Sequence, residues 1–236
     1  MENHAKSLYN YTAKFYDRRH NNDATRHLRK RELELLRKYA HGFILDVGCG
    51  TGVYAGLFEN YTGMDISKRM INEAMKKSKK LYAAADAEKI PFKDGSFDSV
   101  ICMFTVLNLC DYRKAVKEMH RALKKNGRLI VSVASVWDRK NYSFWTRLNG
   151  RFDSDVKNVR IEKDRLRFRL FTKDELIKIF QYAGFELLEF HGVYKWQEPY
   201  WNRYVKFGMT AKIKLVLERL LPSKTGRIYI AVFRKV

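Results

Sequence analysis

The stretch that decides the fold is Ile44-Leu45-Asp46-Val47-Gly48-Cys49-Gly50-Thr51-Gly52. Its apolar start is typical of a buried parallel strand. The glycines that follow predict a tight turn that opens a helix. Because glycine has no Cβ and tolerates positive φ, the backbone of such a turn can approach a ligand closely. The segment therefore predicts the first strand and a ligand-binding loop of an α/β protein.

Two details of this loop bear on the ligand. The glycines alone fit a dinucleotide site or a plain tight turn as well. Their spacing, however, is GxGxG and not the GxGxxG of dinucleotide-binding folds. Asp46 also stands directly before them. Its carboxylate would repel a pyrophosphate and suits a ligand that carries an ammonium group.

Two further aspartates end the next two predicted strands. Asp65 lies thirteen residues after Gly52, and a carboxylate at that position can accept both hydroxyls of a ribose. Asp86, with Ala87 after it, is placed for an adenine amino group. Each acid alone is more often a helix cap than a ligand contact. Three acids at the carboxyl ends of parallel strands together favour a nucleoside site.

Apolar runs and helical stretches alternate on both sides of these residues. This alternation predicts a parallel sheet with helices on both faces. Residues 3–42 predict two helices, and residues 137–164 are polar and irregular. The other predicted strands are 99–103, 128–133, 165–171, 186–194 and 227–233, and the other predicted helices are 68–79, 113–124 and 172–184.

Four segments resemble the class I S-adenosylmethionine-dependent methyltransferases: residues 44–52, 63–67, 86–92 and 97–100. They look most like the broad group of ubiquinone/menaquinone-biosynthesis methyltransferases, which carry a methyltransferase type 11 domain. The resemblance implies a Rossmann-like three-layer sandwich. Its sheet would be mostly parallel and seven-stranded, with an antiparallel last strand. The implied cofactor is S-adenosyl-L-methionine.

The resemblance also implies one domain, residues 1–236, with distinct parts. These are an N-terminal helical lid (1–42), a cofactor-binding core (43–135), a basic insertion (136–170), and a C-terminal half (171–236) that contains a second insertion (195–224).

Residue roles carry over from the same resemblance. The glycine loop would cradle the methionine part of the cofactor, with Asp46 near its amino group. Asp65 would take the ribose diol, and an aromatic strip containing Tyr11 and Tyr16 would close over the site. The full set of implied cofactor-binding residues is Tyr11, Tyr16, Asp46, Gly48, Cys49, Gly50, Gly52, Asp65, Ile66, Met70, Asp86, Ala87, Cys102 and Met103.

No catalytic base is evident in the sequence. The Asn/Asp-Pro-Pro-aromatic motif of many amino-methylating relatives is absent from residues 104–109, and Leu107-Asn108 stands where other relatives have two histidines. His120 and His191 lack supporting motifs, since a lone histidine is usually structural. Tyr16 and Asn108 are the candidates to mutate first. No metal site is predicted, because the three cysteines lack the spacing of zinc ligands.

The net charge of the chain bears on the kind of partner that it binds. The chain has 236 residues and a net charge of +21, and +16 of this lies outside residues 43–135. Such a charge favours an anionic partner over ordinary self-repulsion in solution. With 46% hydrophobic residues the chain is not a disordered basic tail. The N-terminus has no secretory signal and no apolar stretch could span a bilayer, which predicts a cytoplasmic protein, with peripheral contact to the membrane as the alternative left open.

Two acceptors follow from the flanks. A predicted amphipathic helix at 200–221 carries Arg203, Lys206 and Lys214 on one side, which favours a lipid-like, quinone-like or other small molecule met at an anionic membrane. Arg165, Arg167 and Arg169 share one face of a predicted strand and favour RNA, in particular a transfer RNA methylated at a wobble uridine. The small molecule is slightly favoured. A third alternative is a cofactor-binding protein without catalysis.

Overall fold

The computed structural model describes residues 2–20, 23–104, 106–138, 156–161, 164–193, 223 and 226–236. Seven strands form one sheet: β1 (Ile44–Val47), β2 (Tyr61–Asp65), β3 (Leu81–Ala84), β4 (Phe97–Cys102), β5 (Leu123–Ala134), β8 (Phe185–Val193) and β9 (Ile228–Lys235). Their order across the sheet is β3-β2-β1-β4-β5-β9-β8. Strands β1 to β5 pair in parallel, and β9 is antiparallel to both β5 and β8. The predicted fold class is confirmed.

The helices pack on both faces of this sheet because side chains alternate along each strand. The helices are α1 (Glu2–Thr12), α2 (Tyr16–Arg19), α3 (Asp23–Tyr39), α4 (Lys68–Lys77), α5 (Val106–Leu109), α6 (Tyr112–Ala122) and α7 (Lys173–Tyr182). Leu129 and Val131 of β5 face one apolar cluster with residues of α6 and α7, whereas Ile130 between them faces a second cluster with residues of α3 and α4.

Side-chain caps fix where three of these helices begin. Ser67 accepts the Met70 N–H before α4, Asp111 accepts two N–H groups before α6, and Thr172 accepts the Glu175 N–H before α7. Each cap satisfies a donor that the first turn of a helix leaves unpaired. The helix predicted over 172–184 is therefore present, and its start is fixed by the Thr172 cap.

Three local predictions were wrong. The N-terminal segment forms α1, a 3₁₀ turn (Ala13–Phe15), α2 and α3 instead of two helices. The glycine loop opens only turns and a short 3₁₀ helix (Ala55–Leu57), because positive φ at three of its glycines is incompatible with a continuous helix. Residues 156–161, predicted as irregular, form strand β6.

Strand β6 (Val156–Ile161) pairs antiparallel with β7 (Asp164–Arg169) as a two-stranded ribbon outside the main sheet. The predicted strand at 165–171 is thus present with slightly different bounds. The predicted helix at 200–221 lies outside the described residues. Within the described part of the chain, no helix is long and apolar enough to cross a membrane.

Candidate functional site

A large cavity opens at the carboxyl ends of the parallel strands. It encloses about 1170 Å³ of space, part of which is open to solvent. The strand order reverses at the neighbouring pair β1 and β4, and ligands of open α/β sheets bind at such a switch point. Its lining brings together eleven of the predicted cofactor-binding residues: Tyr16, Asp46, Gly48, Cys49, Gly50, Asp65, Ile66, Met70, Asp86, Ala87 and Met103.

The glycine loop forms one wall of the cavity and has left-handed backbone. Gly48 and Gly50 have φ of +76° and +54°, which L side chains rarely adopt. A Cβ on Gly48 would lie 2.2 Å from Cγ2 of Val106. Two hydrogen bonds hold the loop against β2, because the N–H groups of Gly48 and Cys49 both donate to the carbonyl of Met64. The backbone is therefore fixed where a ligand would approach it.

Asp46 is a buried carboxyl at the end of β1, with 1% of its surface exposed. The Tyr61 hydroxyl donates to its Oδ2 at 2.6 Å. Burial raises the pKa of Asp46 to about 7, against the lowering effect of this hydrogen bond. A cationic ligand in the cavity would favour the ionised form.

Asp65 anchors the loop from β2. Its Oδ2 accepts the Gly50 N–H and its Oδ1 accepts the Ser67 N–H, both at 2.9 Å. Burial raises its pKa although both hydrogen bonds oppose the shift. Each carboxylate oxygen keeps a second lone pair, so the group can still accept hydroxyls from a ligand. Asp86, beyond β3, accepts the Glu88 N–H at 2.8 Å and lies at the same end of the cavity.

The N-terminal helices cover the cavity and are held by polar contacts of two residues, Asp17 and Asn10. The Thr51 hydroxyl donates to Asp17 at 2.6 Å, and Lys77 pairs with the same carboxylate. Farther along, Asn10 accepts the Ser67 hydroxyl at 2.7 Å. Between these contacts Tyr16 lines the cavity, and burial raises the pKa of its hydroxyl.

We call the part of the cavity formed by Tyr16, His20 and Phe104, with Arg29 and Glu32, the aromatic end. The His20 ring stacks on Tyr16 at 4.1 Å between centroids and meets the edge of Phe104 at 5.7 Å. Phe104 follows β4 with φ of +56°, an uncommon conformation for a bulky residue. Its N–H donates to Ser132 of β5 at 2.7 Å, which helps to hold it there.

Glu32 connects this end to the sheet. It accepts the Ser132 hydroxyl at 3.0 Å and the Tyr54 hydroxyl at 2.5 Å. Burial raises its pKa, against both hydrogen bonds and the nearby Arg29 charge. Arg29 itself has a buried Nε that finds no hydrogen-bond partner among the described residues. A buried donor without an acceptor is costly, which marks it as a binding group for an anion.

Four predicted site residues lie outside the cavity lining. Tyr11 is 57% exposed and packs edge-on against Phe15. Gly52 lies in the turn, where a Cβ would approach the Tyr82 hydroxyl at 2.7 Å. Cys102 is fully buried in the core. Asn108, the fourth, has a different environment.

The carboxamide of Asn108 is committed to the backbone. Its Nδ2 donates to the carbonyls of Ala134 and Arg169, and its Oδ1 accepts the Ala134 N–H at 3.0 Å. The side chain is 2% exposed. It therefore acts as a clamp between α5, the end of β5 and the end of β7, and the prediction of a catalytic role for Asn108 is not supported by its position.

The basic residues proposed for anionic surfaces are only partly described. Arg169 pairs with Glu175 and stacks over the ring of Tyr112, with its guanidinium carbon 4.5 Å from the ring centroid. Its charge is thus directed into the protein. Arg165 and Arg167 lie on β7, and nothing is described of their side chains, whereas Arg203, Lys206 and Lys214 lie outside the described residues.

Comparisons with known proteins fit this site. A family model described as a methyltransferase domain matches residues 45–131. A demethylmenaquinone methyltransferase of Thermotoga maritima is 30% identical over 177 residues, covering 67% of this chain and 76% of the relative. An uncharacterized protein of Methanocaldococcus jannaschii is 34% identical over 197 residues, covering 78% of this chain and 76% of the relative.

The chain belongs to the class I S-adenosylmethionine-dependent methyltransferases. A crystal structure of such a methyltransferase from Thermotoga maritima has the same fold, with a TM-score of 0.66 at 24% identity, over 99% of this chain and all of that one. The crystal structure of the [4+2]-cyclase SpnF has it too, with a TM-score of 0.65 at 19% identity, over 100% of this chain and 97% of that one. The fold alone therefore does not specify the reaction.

The cavity of the methyltransferase fits its cofactor. S-adenosylmethionine supplies a methyl group on a positively charged sulfur. The buried carboxylates of Asp46 and Asp65 suit its ammonium and its ribose, and the guanidinium of Arg29, which also lines the cavity, suits its carboxylate. The glycine loop leaves room where a Cβ would intrude. These residues would bind and orient the cofactor, while the helices above would exclude water.

His20, Arg29, Glu32 and Phe104 were not predicted from the sequence. The charged members stand in helices rich in lysine and arginine, where solvent exposure is the usual outcome. Only Phe104, directly after a strand end, carried a positional signal. Within the described residues, no cluster of histidine, cysteine and acidic side chains could hold a metal ion.

Proposed function

We propose that the methyltransferase modifies a small, quinone-like or otherwise lipid-like aromatic molecule. The observation that carries this proposal is the aromatic end of the cavity. Tyr16 and His20 from the N-terminal helices face Phe104 after β4, and Met103 and Leu109 complete an apolar lining. A flat, conjugated ring suits such a surface, because aromatic rings pack edge-on and in offset stacks.

The layout of the cavity supports the same acceptor. Its lining continues from the carboxylates of Asp46 and Asp65 to the aromatic end, so an acceptor at that end would lie next to the cofactor. Among similar proteins, a ubiquinone/menaquinone biosynthesis C-methyltransferase of Haemophilus ducreyi is 27% identical over 173 residues, covering 64% of this chain and 66% of the relative. Its name and that of the Thermotoga relative point to quinone-type acceptors.

A transfer RNA acceptor has less support. The net charge of +21 still favours an anionic partner. However, Arg169, one of the three arginines behind that hypothesis, is paired with Glu175 and stacked on Tyr112. A base would also have to enter beneath the helices that carry Asn10 and Asp17, which contact the core through hydrogen bonds.

The test is an acceptor screen with methyl-labelled S-adenosylmethionine. The purified full chain is incubated with cell extract that has been separated into lipid-soluble, small polar, RNA and protein fractions. We expect label in the lipid-soluble fraction and, with purified substrates, in a reduced demethylated quinone. The Gly48→Ala variant, whose loop is disrupted, is the negative control. Label in RNA or protein, or no label from a chain that binds S-adenosylhomocysteine, would overturn the proposal.

A further inference from the structure

We propose that His20 is the general base that removes a proton from an acidic hydroxyl of the acceptor. The inference rests on the proposed function, since it assumes an acceptor of the phenol or hydroquinone class. It also places the acceptor in the cavity, with the acceptor hydroxyl at the aromatic end, beside the His20 ring.

The hydrogen bonding of His20 defines which nitrogen is free. Its Nδ1 lies 2.8 Å from the carbonyl oxygen of Tyr16. A carbonyl can only accept, so the proton of the neutral ring is on Nδ1 and the lone pair is on Nε2. No partner of Nε2 occurs in the part of the chain that the structure describes. The backbone therefore holds His20 in position through Nδ1, and the Nε2 lone pair is the one that can act as a base.

Packing fixes the position of the His20 ring at the cavity. Tyr16 covers one face of the ring, with 32° between the two planes, and Phe104 makes a T-shaped contact with it at 87°. Because His20 also lines the cavity, the ring borders the space that the acceptor would occupy, and the proposal places the acceptor hydroxyl beside Nε2.

Titratable and charged groups surround His20 at this end. They are Tyr16 on α2 and Arg29 and Glu32 on α3, with Tyr9 on α1 beyond Tyr16. The Glu32 carboxyl already accepts the Ser132 and Tyr54 hydroxyls.

The proton step balances within the known reaction. The O–H bond of the acceptor breaks and an N–H bond forms at Nε2 of His20. The electron pair left on the oxygen, or on a conjugated ring carbon, would form the new bond to the methyl carbon as the bond from that carbon to the cofactor sulfur breaks, and neutral S-adenosylhomocysteine would leave with the sulfur electron pair. For attack through carbon, the ring proton would then be lost to water and the oxygen would regain a proton. The imidazolium returns its proton to solvent, so no further reactant is needed.

The test compares His20→Gln with His41→Gln. His41 makes the same kind of contact, with Nδ1 3.0 Å from the Tyr39 carbonyl, but it is exposed and outside the cavity lining. In single-turnover assays on the labelled fraction, we expect His20→Gln to slow transfer by about 10²- to 10⁴-fold. The pH profile of the rate should lose its acidic limb in His20→Gln, and added imidazole should restore part of the rate to His20→Ala. His41→Gln should match the wild type.

Two readouts do not depend on the identity of the acceptor. Calorimetry should show unchanged affinity for S-adenosylhomocysteine in His20→Gln, which excludes misfolding. A ¹⁵N NMR spectrum at pH 8 should show His20 as the Nδ1–H tautomer. An Nε2–H tautomer, or a variant with the wild-type rate and acidic limb, would overturn the proposal. Failure of the proposed function is separate, because it appears as label from the wild type in the wrong fraction or in none.

Discussion

The buried carboxyl of Asp46 lowers the stability of the folded protein, but it suits a cationic ligand. Its pKa of about 7, raised from 3.8 by burial, means that the folded state holds a proton which the unfolded state releases. Stability is therefore lost as pH rises from about 4 to about 7. Asp46→Asn removes this cost, so we expect it to stabilise the protein without cofactor at pH 8 by on the order of 2 kcal/mol, with a smaller gain at pH 5. Thermal unfolding at both pH values measures this.

Asp98 provides the matched contrast. Burial alone would raise its pKa, but the Lys124 ammonium and the Phe43 N–H outweigh burial and lower it. Asp98→Asn should therefore destabilise the protein at pH 8, where Asp46→Asn stabilises it. Asp46→Asn should also weaken S-adenosylmethionine binding at pH 8 by about tenfold, because this variant loses an ionised carboxylate that faces a cation. Destabilisation by Asp46→Asn at pH 8 would contradict this account.

Replacing Gly48 with alanine adds a single methyl group and tests the geometry of the loop. Gly48→Ala would place a Cβ 2.2 Å from Cγ2 of Val106 in backbone with φ of +76°. Valine is stiff at χ1, so the loop must move. We expect binding of S-adenosylhomocysteine to fall below detection in calorimetry. Gly56→Ala is the control, since nothing lies within 4 Å of its Cβ position, and it should keep wild-type affinity. Equal binding by both variants would show that the loop does not hold the cofactor.

At the scale of elements, Asn108 links three segments that are distant in sequence. Asn108→Ala would leave the Ala134 N–H and the carbonyls of Ala134 and Arg169 without this partner. We expect a loss of about 1–3 kcal/mol in urea unfolding, because buried polar groups become unsatisfied. Affinity for S-adenosylhomocysteine should stay within twofold of wild type. A variant of normal stability with a greatly reduced rate of transfer would instead restore Asn108 as a catalytic candidate.

The elements also show which features of the sequence are informative. Strands β1 and β2 were predictable because short apolar runs end in glycine or aspartate, a pattern that is typical of buried parallel strands. Strand β6 was missed because charged and polar residues interrupt Val156–Ile161, and its conformation depends on pairing with β7. Glu32 was missed because its burial is created by Ser132 and Tyr54, far away in sequence.

At the scale of the whole molecule, the two halves of the chain build one sheet. Among the described residues, those that line the cavity fall between Ala5 and Cys110, yet β5 pairs along seven residues with β9, which comes from the C-terminal end. Without β9, the strand β5 would expose an apolar edge. The site thus depends on strands that contribute nothing to its lining.

This dependence predicts that residues 1–170 cannot act as a separate cofactor-binding unit. The fragment retains every lining residue, but we expect it to aggregate and to bind S-adenosylhomocysteine at least a hundredfold more weakly than the full chain. In the full chain, calorimetry should show one unfolding transition, and amides of β1 and β9 should exchange with the same free energy of opening. A soluble fragment with wild-type affinity would show that the N-terminal half folds alone, and β8 and β9 would then be an accessory to the site.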